Sequence, residues 1–141
     1  MKKIFWYELQ STEFESCDQE AHFGLLHRDL STKPGFDAYS TLTAMRPAGS
    51  VNQIIVHNAK NVYLASWERP DGVKVWAVWS AMEPVDCVLN VNGSITQAVD
   101  FLGKPRKVSL NDGKLALKAE AGILYLTGPS QISLDDSVKL E

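Results

Sequence analysis

Three turn signals, Pro70-Asp71-Gly72, Asn92-Gly93 and Asn111-Asp112-Gly113, cut the second half of the chain into short apolar segments. Asp-Gly and Asn-Gly pairs supply the positive-φ positions that short β-hairpins need, and a helix would be broken at each of them. Residues 62–69 and 73–80 flank the first signal. Val85, Cys87, Leu89 and Val91 then alternate with Asp86, Val88, Asn90 and Asn92, the period of a half-buried strand. Residues 95–102 follow, closed by Gly103-Lys104-Pro105 as a further turn. Residues 108–110 and 115–117 flank the third signal, and residues 51–57 and 123–126 complete the set. Short strands punctuated in this way predict a mainly β fold, an antiparallel β-sandwich.

The first third reads differently. Pro47-Ala48-Gly49-Ser50 forms a junction. Before it, residues 4–9 (Ile-Phe-Trp-Tyr-Glu-Leu) suit a buried strand, and residues 10–22 are polar and acidic with no clear period. Phe36, Tyr39, Leu42 and Met45 then recur at a spacing of three, predicting an amphipathic helix over 36–45 that packs beside the sandwich. The expected organisation is therefore an N-terminal strand–loop–helix appendage over 1–49, a β-sandwich over 50–129, and a tail or edge strand over 130–141.

Composition removes several classes of function. Lys plus Arg number 14 against 17 for Asp plus Glu, a net charge of −3, which argues against a nucleic-acid partner. No run approaches the ~20 apolar residues of a membrane helix, so no membrane partner is expected. Met1-Lys2-Lys3 opens like a signal peptide, but Glu8 interrupts the apolar stretch far short of an h-region. No export signal is expected in this chain, whereas a longer parent, secreted or periplasmic, could carry one upstream. Phosphate-binding, dinucleotide and Gly-x-Ser-x-Gly motifs are lacking, and no cofactor is expected. His22, His27 and His57 have no metal-site spacing, so no metal is expected either. Cys87 reads as a small core residue, and a disulfide from it to Cys17 has no support. Asn92-Gly93-Ser94 matches a glycosylation sequon, although a turn already accounts for Asn-Gly.

Two residue classes bear on carbohydrate chemistry. Glycoside hydrolysis needs a facing pair of carboxylates about 5–10 Å apart, and the candidates are Glu8 with Glu13, Glu15, Asp18 and Glu20 of the acidic loop. Such loops are usually solvated faces rather than catalytic pairs. Trp6 and Tyr7 offer a stacking surface to a sugar, while Trp67, Trp76 and Trp79 lie inside β-runs and read as core.

A family resemblance joins these features. Ile4 to Leu9, Glu20, His22-Phe23-Gly24-Leu25-Leu26, Asp29, Lys33-Pro34, Ala38-Tyr39 and Leu42 resemble the last strand, loop and helix of the (β/α)8 barrel in retaining glycoside hydrolases of the large barrel clan. Gly35 and Phe36 stand where that pattern often has alanine and an aromatic. Trp67-Glu68-Arg69-Pro70-Asp71-Gly72 with Val75-Trp76-Ala77-Val78-Trp79-Ser80 is similar to a hairpin of the β-sandwich that follows such barrels. Asp100-Phe101-Leu102-Gly103 and residues 122–129 are similar to a turn and the closing strand of that sandwich, with Gly122 or Ile123 replacing a usual proline.

The resemblance implies a parent glycoside hydrolase whose acid/base and nucleophile carboxylates sit on the fourth and seventh barrel strands, upstream of this chain. This chain is then a C-terminal accessory region with no catalytic residues of its own. Trp6, Tyr7 and Glu8 are its candidate substrate-facing residues, at the C-terminal end of the last barrel strand. Its partners would be the missing barrel domain and, through the parent, carbohydrate. The alternative is a free-standing carbohydrate-binding module using exposed aromatics such as Trp6, Trp67 or Trp76; a complete small enzyme using the acidic loop ranks last. A strand over 4–9 without its barrel neighbours leaves Phe5 and Trp6 in water, so re-burial is expected, on the chain's own sandwich or in a homodimer.

Overall fold

Alternating apolar residues between tight turns condense into two antiparallel sheets. A computed structural model describes residues 6, 8–12, 22–57 and 60–134. Helix α1 (Pro34–Met45) precedes β1 (Val51–His57), β2 (Val62–Glu68), β3 (Lys74–Ser80), β4 (Val85–Asn92), β5 (Gln97–Asp100), β6 (Lys114–Ala119), β7 (Leu124–Thr127) and β8 (Gln131–Leu134). One sheet has the order β1-β2-β3-β7-β5 and the other β6-β4-β8. The chain divides into two units, Met1–Ser40 and Thr41–Glu141; both sheets belong to the second.

The inter-sheet core takes one face of each strand. Val62, Leu64, Trp76, Val78 and Leu126 of the larger sheet meet Cys87, Leu89, Leu115 and Ile132 of the smaller. The opposite face of the larger sheet is also buried: Ala65, Trp67, Val75, Ala77, Val99 and Tyr125 form a second cluster with Met45. Strands β2 and β3 are therefore covered on both faces, which explains their near-continuous apolar sequence. Trp67 makes the link specific. Its indole N–H donates to the Met45 carbonyl at 2.8 Å, one of the four carbonyls that a helix C-terminus leaves without an intrahelical donor. On the inner face, Trp76 Nε1 donates to the Pro129 carbonyl at 3.0 Å. Both tryptophans are buried, as core residues. Cys87 is a buried free thiol whose pKa is raised by that burial; Cys17 lies outside the described residues. Burial likewise pushes the Tyr125 hydroxyl up to about 12.

The turn residues act locally. Gly72 has φ +78° and closes the five-residue β2–β3 loop, with Arg69 N–H donating to the Val73 carbonyl at 2.9 Å. Asp112 and Gly113, at φ +50° and +73°, give the two positive-φ positions of a type I′ turn between Asn111 and Lys114. Asp100 holds the next turn, its Oδ1 accepting from Leu102 N at 3.0 Å and Lys104 N at 2.9 Å.

Three expectations need correction. Asn92-Gly93 does not join paired strands: only its glycine has positive φ, and the chain crosses to the other sheet while β8 takes the place beside β4, Ser130 N–H donating to the Asn92 carbonyl at 3.0 Å. Residues 108–110 form no strand; Val108 and Leu110 instead pack against the inter-sheet core. The helical stripe is not the buried face. A spacing of three drifts by about 60° per step on a 3.6-residue helix, so Phe36 and Met45 end on opposite sides, and Thr41 with Met45 is buried instead. Strand β1 forms as expected, yet all seven of its residues are exposed.

The Trp67 link yields a stability prediction. Trp67→Phe keeps an aromatic side chain but removes the indole N–H with part of the ring and orphans the Met45 carbonyl, so denaturant unfolding should show a loss of about 1–3 kcal/mol. Trp67→Ala should cost more, about 3–5 kcal/mol.

Candidate functional site

The first unit is built on a close approach between two backbone segments. Leu25 N–H donates to the Glu8 carbonyl (3.2 Å), Leu26 N–H to the Leu9 carbonyl (2.9 Å), and Ser11 N–H to the Leu26 carbonyl (2.9 Å). Gly24 lies so near this contact that a Cβ there would stand 2.1 Å from Ser11 N and 2.5 Å from the Gln10 carbonyl carbon. Only glycine fits. Its N–H donates to Ser11 Oγ at 3.0 Å, and Lys33 Nζ donates to the same oxygen at 2.6 Å and to the His22 carbonyl at 3.1 Å. Ser11 is buried, so its hydroxyl is the hub that joins the Phe-Gly-Leu and Lys-Pro segments. Lys33 N–H also donates to the Leu25 carbonyl at 3.0 Å, and Pro34 follows as the first helical residue, where its missing N–H costs nothing. Between the segments, Asp29 Oδ1 accepts from the Ser31 side chain and backbone. Those two hydrogen bonds hold the Asp29 carboxyl below its ordinary value.

Trp6 and Glu8 stand on this base, and Tyr7 lies outside the described residues. The Trp6 indole N–H donates to the Phe23 carbonyl at 3.0 Å, and its ring meets Tyr39 edge-on at 6.4 Å. Trp6 is nevertheless 54 % exposed and the adjacent Phe23 45 %. The result is an aromatic surface pinned in orientation and open to solvent, chemistry suited to stacking on the apolar face of a sugar ring. Trp6 is thus not re-buried within the chain, and Phe5 is outside the described residues. Residues 6, 8 and 9 form no strand; a single parallel bridge, Gln10 with Leu26, stands there, and one bridge supplies no ladder. Glu8 is half-buried, while Glu13, Glu15, Asp18 and Glu20 lie outside the described residues, so no carboxylate pair is defined. Among the described residues no three His, Cys, Asp or Glu side chains are grouped to hold a metal.

The second unit offers other aromatics, but few of use to a ligand. Trp67 and Trp76 are buried with their N–H groups committed, which removes them as sugar-stacking candidates. One arrangement was hidden from the sequence. Cross-strand register aligns His57, Tyr63 and Trp79, with ring centroids 5.2 and 5.3 Å apart. Tyr63 and Trp79 turn their faces toward each other at 15°, so that stack spends its faces internally and is no flat sugar platform. A cavity of about 740 Å³ opens between the sheets beside β6, with Leu115, Leu117 and Val108 beneath Arg106, Lys107 and Glu120. Its mixed charge selects no single ligand class.

No family model matches this sequence, and no curated protein matches it either. Among solved structures, a family 39 glycoside hydrolase from the gut symbiont Bacteroides cellulosilyticus WH2 shares the fold, with a TM-score of 0.73 and 19 % identity. The match covers 86 % of this chain and 25 % of that one. This chain therefore spans about a quarter of its structural neighbour.

The first unit is vulnerable at two residues, Gly24 at the hub and Asp29 in the loop between the segments. Gly24→Ala should open the 8–11/24–26 contact at a cost of about 1–3 kcal/mol, seen as faster amide exchange at Ser11, Leu25 and Leu26 with the sandwich amides unchanged. Because the Asp29 pKa is lowered on folding, its contribution is present above the normal carboxylate range and is lost as pH falls through the lowered value. The Ser31 amide should lose protection over that acid range, and Asp29→Asn should flatten the dependence.

Proposed function

We propose that this chain is a C-terminal accessory region of a glycoside hydrolase: a β-sandwich preceded by the last strand, loop and helix of a catalytic barrel, with the catalytic carboxylates elsewhere in the parent. One observation carries the reading. Most of this chain reproduces a quarter of a glycoside hydrolase, so the fold occurs in nature as a minor part of such an enzyme. The bonding around Ser11 supports it, because it gives physical roles to Gly24 and Lys33, residues on which the barrel-clan resemblance rests. In this reading the parent is a retaining enzyme of that clan and Trp6 to Glu8 face its substrate. The sandwich buttresses the barrel rather than performing chemistry.

The chemistry follows from what a glycosidase requires. An acid must protonate the leaving oxygen while a second carboxylate attacks or activates water from the opposite face. In this reading the strands that carry those two carboxylates belong to the parent's barrel and not to this chain. The exposed, pinned Trp6 ring favours a second reading, a module that binds carbohydrate by stacking without turnover.

The purified chain should show no hydrolysis of aryl glycosides of the common hexoses, pentoses and uronic acids. Turnover that disappears in Glu8→Gln would replace this reading with that of a small enzyme. Retention on insoluble polysaccharide that is lost in Trp6→Ala would favour the module.

A further inference from the structure

Strand β1 is the edge of the five-stranded sheet, and its outer side has no partner strand among the described residues. Edge strands are ordinarily protected by charge, proline, shortness or a covering element. Over residues 53–57 the described residues supply no covering strand and no proline, although the Arg46 guanidinium donates to Gln53 Oε1 at 2.7 Å at the start of this stretch. Val51–His57 contains no Lys, Arg, Asp, Glu or Pro, and Val51, Ile54, Ile55 and Val56 are each about half exposed. A protective device is the bulge between Val51 and Ile54, with Asn52 at φ +56°. It disrupts the start of the strand and leaves Gln53 to His57 regular. Behind Ile54 and Val56 a groove of about 530 Å³ runs to β8, because the smaller sheet stops short of covering them.

The order of residues in this segment suits a two-fold partner. Gln53-Ile54-Ile55-Val56-His57 reads polar, apolar, apolar, apolar, polar in both directions. We propose that a second copy of this chain docks there, β1 pairing antiparallel with β1 across a two-fold axis at Ile55 to make one continuous ten-stranded sheet. In that register Ile55 faces Ile55 of the partner subunit on one face of the sheet. On the other face Ile54 meets the partner's Val56 and Val56 meets the partner's Ile54, while Gln53 meets the partner's His57 at the ends. Antiparallel pairing brings such Cβ atoms to about 4.5–5.5 Å. Neither strand carries a Lys, Arg, Asp or Glu to oppose the approach, and a two-fold contact is the kind that closes on itself. A contact of one strand per subunit belongs to the small, reversible class of interfaces, so association should depend on concentration.

The test is the molar mass of the full chain by light scattering and sedimentation from micromolar concentration to about 1 mM. The expected mass rises from 15.6 kDa to twice that value. Ile55→Lys and Ile55→Glu, on an exposed strand and checked for unchanged circular dichroism, should each stay monomeric, because like charges would face each other at the axis. Mixing the two should restore the doubled mass. A chain that is monomeric throughout overturns the proposal. So does a dimer that survives Ile55→Lys, or one lost only when the N-terminal residues are removed. If both variants are monomeric and their mixture is too, the register is wrong.

Discussion

The structure depends on a sheet that must be covered on both faces. Strands β2 and β3 carry apolar residues on successive positions, and neither face can be left to water at roughly 25 cal/mol per Å² of apolar surface. The smaller sheet covers one face, and Met45 with its neighbours covers the other. The Trp67–Met45 hydrogen bond converts a greasy contact into a defined one, since it satisfies a helix-end carbonyl and the indole N–H together. The helix C-terminus is thus part of the sandwich's own core.

The same logic explains where the tryptophans of the sandwich go. Of the three tryptophans read as core, two are buried with their N–H groups bonded and the third is stacked on Tyr63. Among the four tryptophans, Trp6 is the one that presents an open ring, held by a backbone carbonyl. The fold itself recurs over about a quarter of a family 39 glycoside hydrolase.

Much of this was legible in the residues, and the failures have physical causes. Turn chemistry placed the β2–β3 and 111–114 turns because Gly and Asp act within a few residues of themselves. Alternation found β4, whose two faces differ in burial. Sheet membership was not legible: the Asn92-Gly93 turn has the same local chemistry whether the next strand pairs or crosses, and only the competition of β8 for the edge of β4 decides. The exposure of β1 was likewise invisible, because an uncharged apolar strand reads as buried and only the width of the opposing sheet leaves it uncovered. At the candidate site, Gly24, Leu25 and Lys33 stood out as parts of a pattern, but Ser11 did not. A serine in a polar stretch carries no signal until its hydroxyl is seen to join two segments.

Native-state hydrogen exchange of the dilute chain tests the central physical claim most directly. The doubly covered strands should open only with global unfolding, so amides of β2, β3 and β7 within the ladder should be the slowest in the molecule. Outward-facing β1 amides should exchange faster by orders of magnitude. Amides of β3 exchanging as fast as those of β1 would contradict an account in which two-sided burial of the larger sheet holds the molecule together.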